Sequence, residues 1–306
     1  SEDTIVIYLN DNGPNSRRYV GNMRGVKAGV DDGGIRTPLI FHWPAKVKAG
    51  MKSDHLCAHI DMLPSILDAC GVKIPKGHKL DGRSFLPLLT GESSRWPTRQ
   101  VVFQTHRGNV PRLYHHFAIH EDHWKLVHPS GFGRESFDGE PNLELYNLKN
   151  DPRQQKNLAG LQPKVLKRLK AGYEAWFKDV SSTRPDNYAP PRIVIGTVHE
   201  KRSVLTRQDW RHAEGAPWSR NSQGFWLLEA PEAGRYDLEL LIKEDRPAGR
   251  ATIEVGNLEI SLGIPAGKKR GNIVPVKLPA GKMKLEAKIV FDGKASGPHQ
   301  VILTRR

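Results

Sequence analysis

Thr4 to Leu9, TIVIYL, form an unbroken apolar run rich in β-branched residues, stopped at once by Asn10-Asp11-Asn12-Gly13-Pro14. A strand without polar alternation needs cover on both faces, which is the habit of parallel sheets. After a Gly-rich loop, Thr37-Pro38-Leu39-Ile40-Phe41-His42-Trp43-Pro44 reads as a second such strand ended by proline. From Ile60 to Ala69 the spacing of Ile60, Leu63, Ile66 and Leu67 is helical, and Pro64 is tolerated because it falls in the first turn. Strand, loop, strand, helix is α/β material.

Past Trp96 the pattern changes to short segments (VVFQ, HFAIHED, HWKLVH, LELYNL) that suit an antiparallel sheet. Val165, Leu166, Leu169, Tyr173, Trp176, Phe177 and Val180 then share one helical face, with lysines on the other. The sheet and this helix are expected to form a subdomain over residues 98–180. Ser181 to Arg192 has linker composition, so the first domain is placed at 1–190 and the second at 191–306. Beyond the linker, short alternating strands punctuated by Gly and Pro predict a β-sandwich without helices.

The chain has 306 residues, 38% hydrophobic and 26% charged, enough for two cores, and no apolar run approaches the roughly 20 residues that span a bilayer. A membrane partner is therefore not expected. A net charge of +14 draws anionic partners. The basic residues are scattered, however, and the densest run, Lys268-Lys269-Arg270, lies in a Gly-flanked turn, so no nucleic-acid groove is expected. Cys57 and Cys70 fit no disulfide or zinc pattern and read as packing residues. The opening SEDTIVIYLN has no secretory-signal pattern.

Taken alone, Asn10-Asp11-Asn12-Gly13 is a turn. At the carboxyl end of a parallel strand the same residues occupy the place where α/β sheets bind ligands, and an Asp carboxylate beside an Asn amide oxygen offers hard donors for Ca²⁺ or Mg²⁺. Next come Arg24-Gly25-Val26-Lys27 and Asp32-Gly33-Gly34-Ile35-Arg36-Thr37-Pro38. Then follow Asp61-Met62-Leu63-Pro64-Ser65-Ile66-Leu67, the stretch Leu80 to Leu89 (LDGRSFLPLL), Leu145-Tyr146-Asn147-Leu148, Asp151-Pro152 and Asn157-Leu158-Ala159. In this order and spacing the motifs of residues 1 to about 180 resemble the carboxy-terminal portion of the type I, formylglycine-dependent sulfatases, which have an alkaline-phosphatase-like fold.

The resemblance implies an incomplete α/β sulfatase domain with an appended all-β sandwich-like domain. It implies an Asp-Asn pair, matching Asp11 and Asn12, that helps hold a divalent cation, usually calcium, and a lysine, matching Lys27, that contacts the sulfate. Asp32 departs from the family's usual Glu. The [CS]xPxR signature that becomes formylglycine does not occur in these residues, so the chain by itself is expected to be inactive and the nucleophile to lie elsewhere in the complete protein. The resemblance further implies a sulfated small molecule or glycan as substrate, and a periplasmic or secreted location for the complete protein; the oligomeric state is not legible. The alternatives are a related phosphodiesterase of the same superfamily and a non-catalytic polyanion-binding protein. His115, His116, His120, His123 and His128 lack zinc-ligand spacing on one face, and His106 falls near the pocket by family position. Arg207 to Arg211 and Ala233 to Asp237 resemble β-domains appended to some bacterial sulfatases.

Overall fold

The structure is a computed structural model and describes residues 2–92, 95–105, 110–131, 140–183, 190–211, 222–242 and 246–306. It contains two compact units, Ser1–Tyr188 and Ala189–Arg306. His106 lies outside the described residues.

In the first unit, β1 (Val6–Leu9) pairs with β2 (Leu39–His42), Val6 opposite His42 and Leu9 opposite Leu39. The pair is antiparallel, which corrects the parallel arrangement expected from the apolar runs. The segment between the strands folds back through a short helix α1 (Asp32–Ile35), so the chain returns alongside β1 in the opposite direction. Nor are both faces covered among the described residues: Tyr8 and Ile40 are 55% and 58% exposed. Phe41 does turn inward, edge-on to Phe85 with centroids 6.0 Å apart.

Helix α2 (Met62–Ala69) starts later than its apolar spacing suggests, because Ile60 belongs to a preceding 3-10 turn, His59–Asp61. Its buried residues are Pro64 and Ser65, whereas Leu63 and Ile66 are exposed. The fully buried Asp61 is the hub of this region. Its carboxylate accepts the backbone N–H groups of Ala58 (2.8 Å) and Arg83 (3.0 Å) and both guanidinium arms of Arg99. Ser65 Oγ donates to the Asp61 carbonyl at 2.7 Å and accepts from the Phe85 N–H at 3.0 Å. These bonds hold α2 against the segment that leads into α3 (Leu86–Thr90), which explains the company those two motifs keep in the sequence. Cys57 is half-buried, its thiol pushed up to about 11 by burial and by nearby Asp61. Cys70 is exposed, correcting its reading as a packing residue.

Strands β3 (Gln100–Gln104), β4 (Phe117–Glu121), β5 (Trp124–His128) and β6 (Glu144–Asn147) form one antiparallel sheet in that order. Side chains alternate between its faces. Phe117, Ile119, Leu126 and Leu145 meet α4 (Pro163–Ser181) through Leu169 and Tyr173, and the Phe117 and Tyr173 rings stack 3.6 Å apart. The intervening residues Ala118, Val127 and Tyr146 face the other way and pack on Val30 of the loop before α1. One sheet thus serves a helix on one face and a loop on the other.

The second unit is a sandwich of two sheets. The first has the order β13 (Val274–Leu278), β10 (Gly234–Leu241), β16 (Gln300–Arg305), β8 (Arg202–Thr206). The second runs β12 (Leu258–Ile264), β11 (Gly249–Val255), β14 (Gly281–Phe291), β9 (Phe225–Ala230), β7 (Ile193–Val194), with β15 (Lys294–Ser296) also on β14. Strict alternation along β14 buries Met283, Leu285, Ala287, Ile289 and Phe291 between the sheets. Trp226 fills the centre, fully buried beside Trp210, with its indole N–H donating to the Thr206 carbonyl at 2.8 Å.

Because this core closes within the unit, residues 189–306 expressed alone are expected to unfold in one cooperative thermal transition by calorimetry. Trp226→Ala in that piece should cost about 3–5 kcal/mol in urea titration. A broad, non-cooperative melt of the parent piece would count against its independence.

Candidate functional site

The segments carrying Asp11-Asn12 and Lys27 come together through the backbone. The Lys27 N–H donates to the Pro14 carbonyl and the Gly13 N–H to the Gly34 carbonyl, both at 2.8 Å, and the Gly33 N–H donates to the Arg24 carbonyl at 2.7 Å. Glycine is required here for space. A Cβ on Gly13 would sit 2.0 Å from the Gly33 carbonyl oxygen, and one on Gly33 would sit 2.3 Å from that of Gly25. The glycines of three separated motifs therefore pack on one another's backbone, and the polar side chains between them are left at the rim. Asp11 and Lys27 are exposed and Asn12 half-buried, its amide N–H donating to the Gly13 carbonyl at 3.0 Å. Beside them, His59 Nε2 donates to the Asn10 carbonyl at 3.1 Å, the proton being on that nitrogen because a carbonyl can only accept. Sequence reading missed His59, since a single histidine lying 49 positions from its partner carries no local signal.

Behind this rim lies a buried polar network. Lys125, on β5, is fully buried, and its ammonium donates to Asp32 Oδ1 at 2.7 Å. The Gln154 side-chain carbonyl accepts the Asp32 N–H at 3.0 Å, while its amide N–H donates to Asp31 Oδ1 at 3.1 Å. Arg24 closes the other end: its Nη1 donates to Glu144 Oε2 and to the Tyr146 hydroxyl, each at 2.6 Å, and its Nε lies 3.3 Å from Asp31. Asp31 and Asp32 are thus committed to holding the loop. The shorter arm of Asp32, relative to the family's Glu, still reaches its lysine.

The charges follow from this arrangement. Burial by itself would raise the Asp32 carboxyl, but the charge and the hydrogen bond of Lys125 outweigh it and hold the group below the usual carboxylate range. His120 is pushed down to about 3 by burial and by Lys125, so it is neutral. For Asp61, burial is again outweighed, by the Arg99 hydrogen bond and the two backbone N–H groups. The Tyr146 hydroxyl is pushed up to about 12 by burial and by Glu144.

Among the described residues no group of three or more His, Cys, Asp or Glu side chains could hold a metal ion. The five clustered histidines are dispersed: His116 and His128 bond to backbone carbonyls and His120 sits against Asp32. Asp11 and Asn12 suit a hard cation chemically, and together they supply too few of the six to eight oxygens that Ca²⁺ takes.

Residues 27–175 match the family model described as N-sulphoglucosamine sulphohydrolase, C-terminal. This region belongs to the sulfatase family. It is similar to the N-acetylgalactosamine-6-O-sulfatase of Bacteroides thetaiotaomicron, 27% identical over 55% of this chain and 35% of that protein. Human arylsulfatase A is 30% identical over 55% of this chain and 37% of that one. A solved 2-O GAG sulfatase shares 26% identity and a TM-score of 0.44, covering 58% of this chain and 37% of that one. The chain spans about a third of the length of these curated relatives. The sulfatase region includes Lys27 and the whole platform sheet, and Asp11 and Asn12 lie ahead of the matched residues.

Asp32 and Asp61 fix the acid behaviour of this unit. Each folded-state pKa is depressed, so each stabilises the fold above its unfolded value of about 4 and loses that contribution as pH falls through the lower folded value. The urea midpoint of the first unit should therefore fall steeply below about pH 4 and draw no slope from these groups between pH 5 and 7. Lys125→Ala should cost about 3–5 kcal/mol at pH 7 by leaving Asp32 buried and unpaired. An unchanged midpoint in that variant would show that the pair is dispensable.

Proposed function

We propose that this chain is the carboxy-terminal portion of a sulfuric ester hydrolase that uses a formylglycine nucleophile and a divalent cation, Ca²⁺ in preference to Mg²⁺. The observation that carries the proposal is the backbone contact seating the Asp11-Asn12 loop on the Lys27 loop. It puts two hard oxygen donors and an exposed ammonium on the same knot of glycine-packed backbone.

In this reading Asp11 and Asn12 supply part of the cation's oxygen shell, and the remaining ligands and the nucleophile come from sequence outside these 306 residues. When bound, the cation supplies Lewis-acid polarisation of a sulfate oxygen. Lys27 then stabilises the negative charge that grows on the sulfate oxygens as the ester bond breaks. Its attachment to a rigid loop means that little reorganisation accompanies that charge development. An Asp-Asn pair without a following histidine ligand favours a sulfatase over a phosphodiesterase of the same superfamily.

Named relatives act on different alcohols, among them an N-acetylgalactosamine-6-O-sulfatase, an ulvan-active sulfatase and a steryl-sulfatase. What they share is the sulfate end of the ester, the end that Lys27 would meet. The net charge of +14 favours a polyanionic substrate, a sulfated glycan before a sulfated small molecule. Export to the periplasm or beyond fits such a polymeric substrate.

In the intact protein, Lys27→Ala should lower kcat/KM for an aryl sulfate ester by about 10²–10³-fold, the usual effect of removing a group that stabilises transition-state charge. Asp11→Ala should raise the calcium concentration needed for half-maximal activity. Residues 1–306 alone should give no turnover. Unimpaired Lys27→Ala and Asp11→Ala variants, or calcium-dependent hydrolysis by residues 1–306, would overturn the assignment.

A further inference from the structure

Lys27 sits at the corner of a tight turn whose geometry is unfavourable for its own sequence. The Gly29 N–H donates to the Val26 carbonyl at 2.9 Å, closing a four-residue turn with Lys27 and Ala28 at its centre. Ala28 has φ +71° and Lys27 is not in the left-handed region, which is the pattern of a type II turn. That turn ordinarily places glycine or asparagine third, because a Cβ at positive φ costs on the order of 1–2 kcal/mol. Something outside the turn must hold it.

His116, which immediately precedes β4, contacts the turn. Its Nε2 lies 3.0 Å from the Ala28 carbonyl. The ring's other nitrogen accepts the Gly131 backbone N–H at 3.0 Å, so Nδ1 carries no proton and Nε2 must be the donor. The backbone of His116 is fixed just as firmly: its N–H donates to Ser130 Oγ at 2.8 Å and its carbonyl accepts from Thr105 N–H at 3.1 Å. His116 is itself left-handed, φ +38°, and only 4% exposed. Two non-glycine residues in a disfavoured conformation, joined by one hydrogen bond at a candidate site, are strain held by its surroundings.

We propose that His116 is a positioning residue for Lys27, fixing through the Ala28 carbonyl the turn that presents the lysine to the sulfate. The proposal rests on the sulfate role of Lys27. Burial pushes the His116 imidazole below its ordinary value, against the Ala28 bond and nearby Asp31, which keeps it in the neutral form the arrangement needs. His116 acts only through the backbone and touches no reacting atom.

Three variants of the intact protein test this. His116→Asn suits the left-handed backbone and reaches Gly131 but not Ala28; His116→Gln carries an amide N–H near the Nε2 position; Lys27→Ala reports on the lysine itself. His116→Asn is expected to keep or raise Tm while lowering kcat about 10²-fold, the scale of a misplaced catalytic group, with KM little changed. Exchange of the Gly29 amide, which closes the turn, should quicken in His116→Asn and return towards the parent rate in His116→Gln, as should kcat. Parent-like kcat and Gly29 exchange in His116→Asn, beside an impaired Lys27→Ala, would overturn the positioning role and leave the sulfate role standing. Full activity of Lys27→Ala would instead overturn the role of the lysine.

Discussion

The buried ion pair between Lys125 and Asp32 joins the loop that carries Lys27 to the sheet that supports it. An ammonium and a carboxylate withdrawn from water are tolerable only when each is nearly satisfied. Here the ammonium has a second acceptor in the Gln154 side-chain carbonyl at 3.4 Å; Gln154 also takes the Asp32 N–H and donates to Asp31, and Arg24 continues the chain to Glu144 and Tyr146 on β6. Val30 inserts between these polar anchors and packs on Ala118, Val127 and Tyr146. The loop is glycine-rich, and Val30 is the apolar side chain it buries fully. Its conformation therefore depends on its contacts with the sheet, the Lys125–Asp32 pair among them.

The sheet can serve two partners because a strand exposes alternate residues on opposite faces. The sequence predicts an amphipathic helix lying on this sheet, and Phe117, Ile119, Leu126 and Leu145 form the core beneath it. His120, Lys125, Glu144 and Tyr146 fall on the opposite face by the same alternation, and Lys125 there is fully buried. Alternation reports which residues share a face; it does not report what lies against that face. The partner of Lys125 is 93 positions away, and no local pattern announces a pairing at that distance.

The same limit explains the reading of the first strand. TIVIYL was legible as a strand from its β-branched run, and β1 is a strand. Its direction relative to β2 was not legible, because direction is set by how the intervening segment returns, and that segment's path depends on glycine contacts between Gly13, Gly33 and Gly34. The motif residues divide similarly. Asp61, Ser65, Gly82 and Arg83 stand out in the sequence as family marks, and in the structure they join α2 to the segment before α3. A motif signals that a residue is constrained; only its contacts distinguish a structural constraint from a chemical one.

That distinction separates the aspartates. Asp31, Asp32 and Asp61 are buried and each is matched to a cation or to backbone donors, so their charge is spent on the fold. Asp11 is exposed, and no ion pair to it is found among the described residues. A carboxylate already neutralised by a lysine or arginine is a poor ligand, because binding a cation would release a buried counter-charge without a partner. Asp11 carries no such cost, and the same holds for Lys27, which no acidic side chain among the described residues neutralises. The network behind the rim pairs its own charges with one another, and Asp11 and Lys27 stand at the rim outside those pairs.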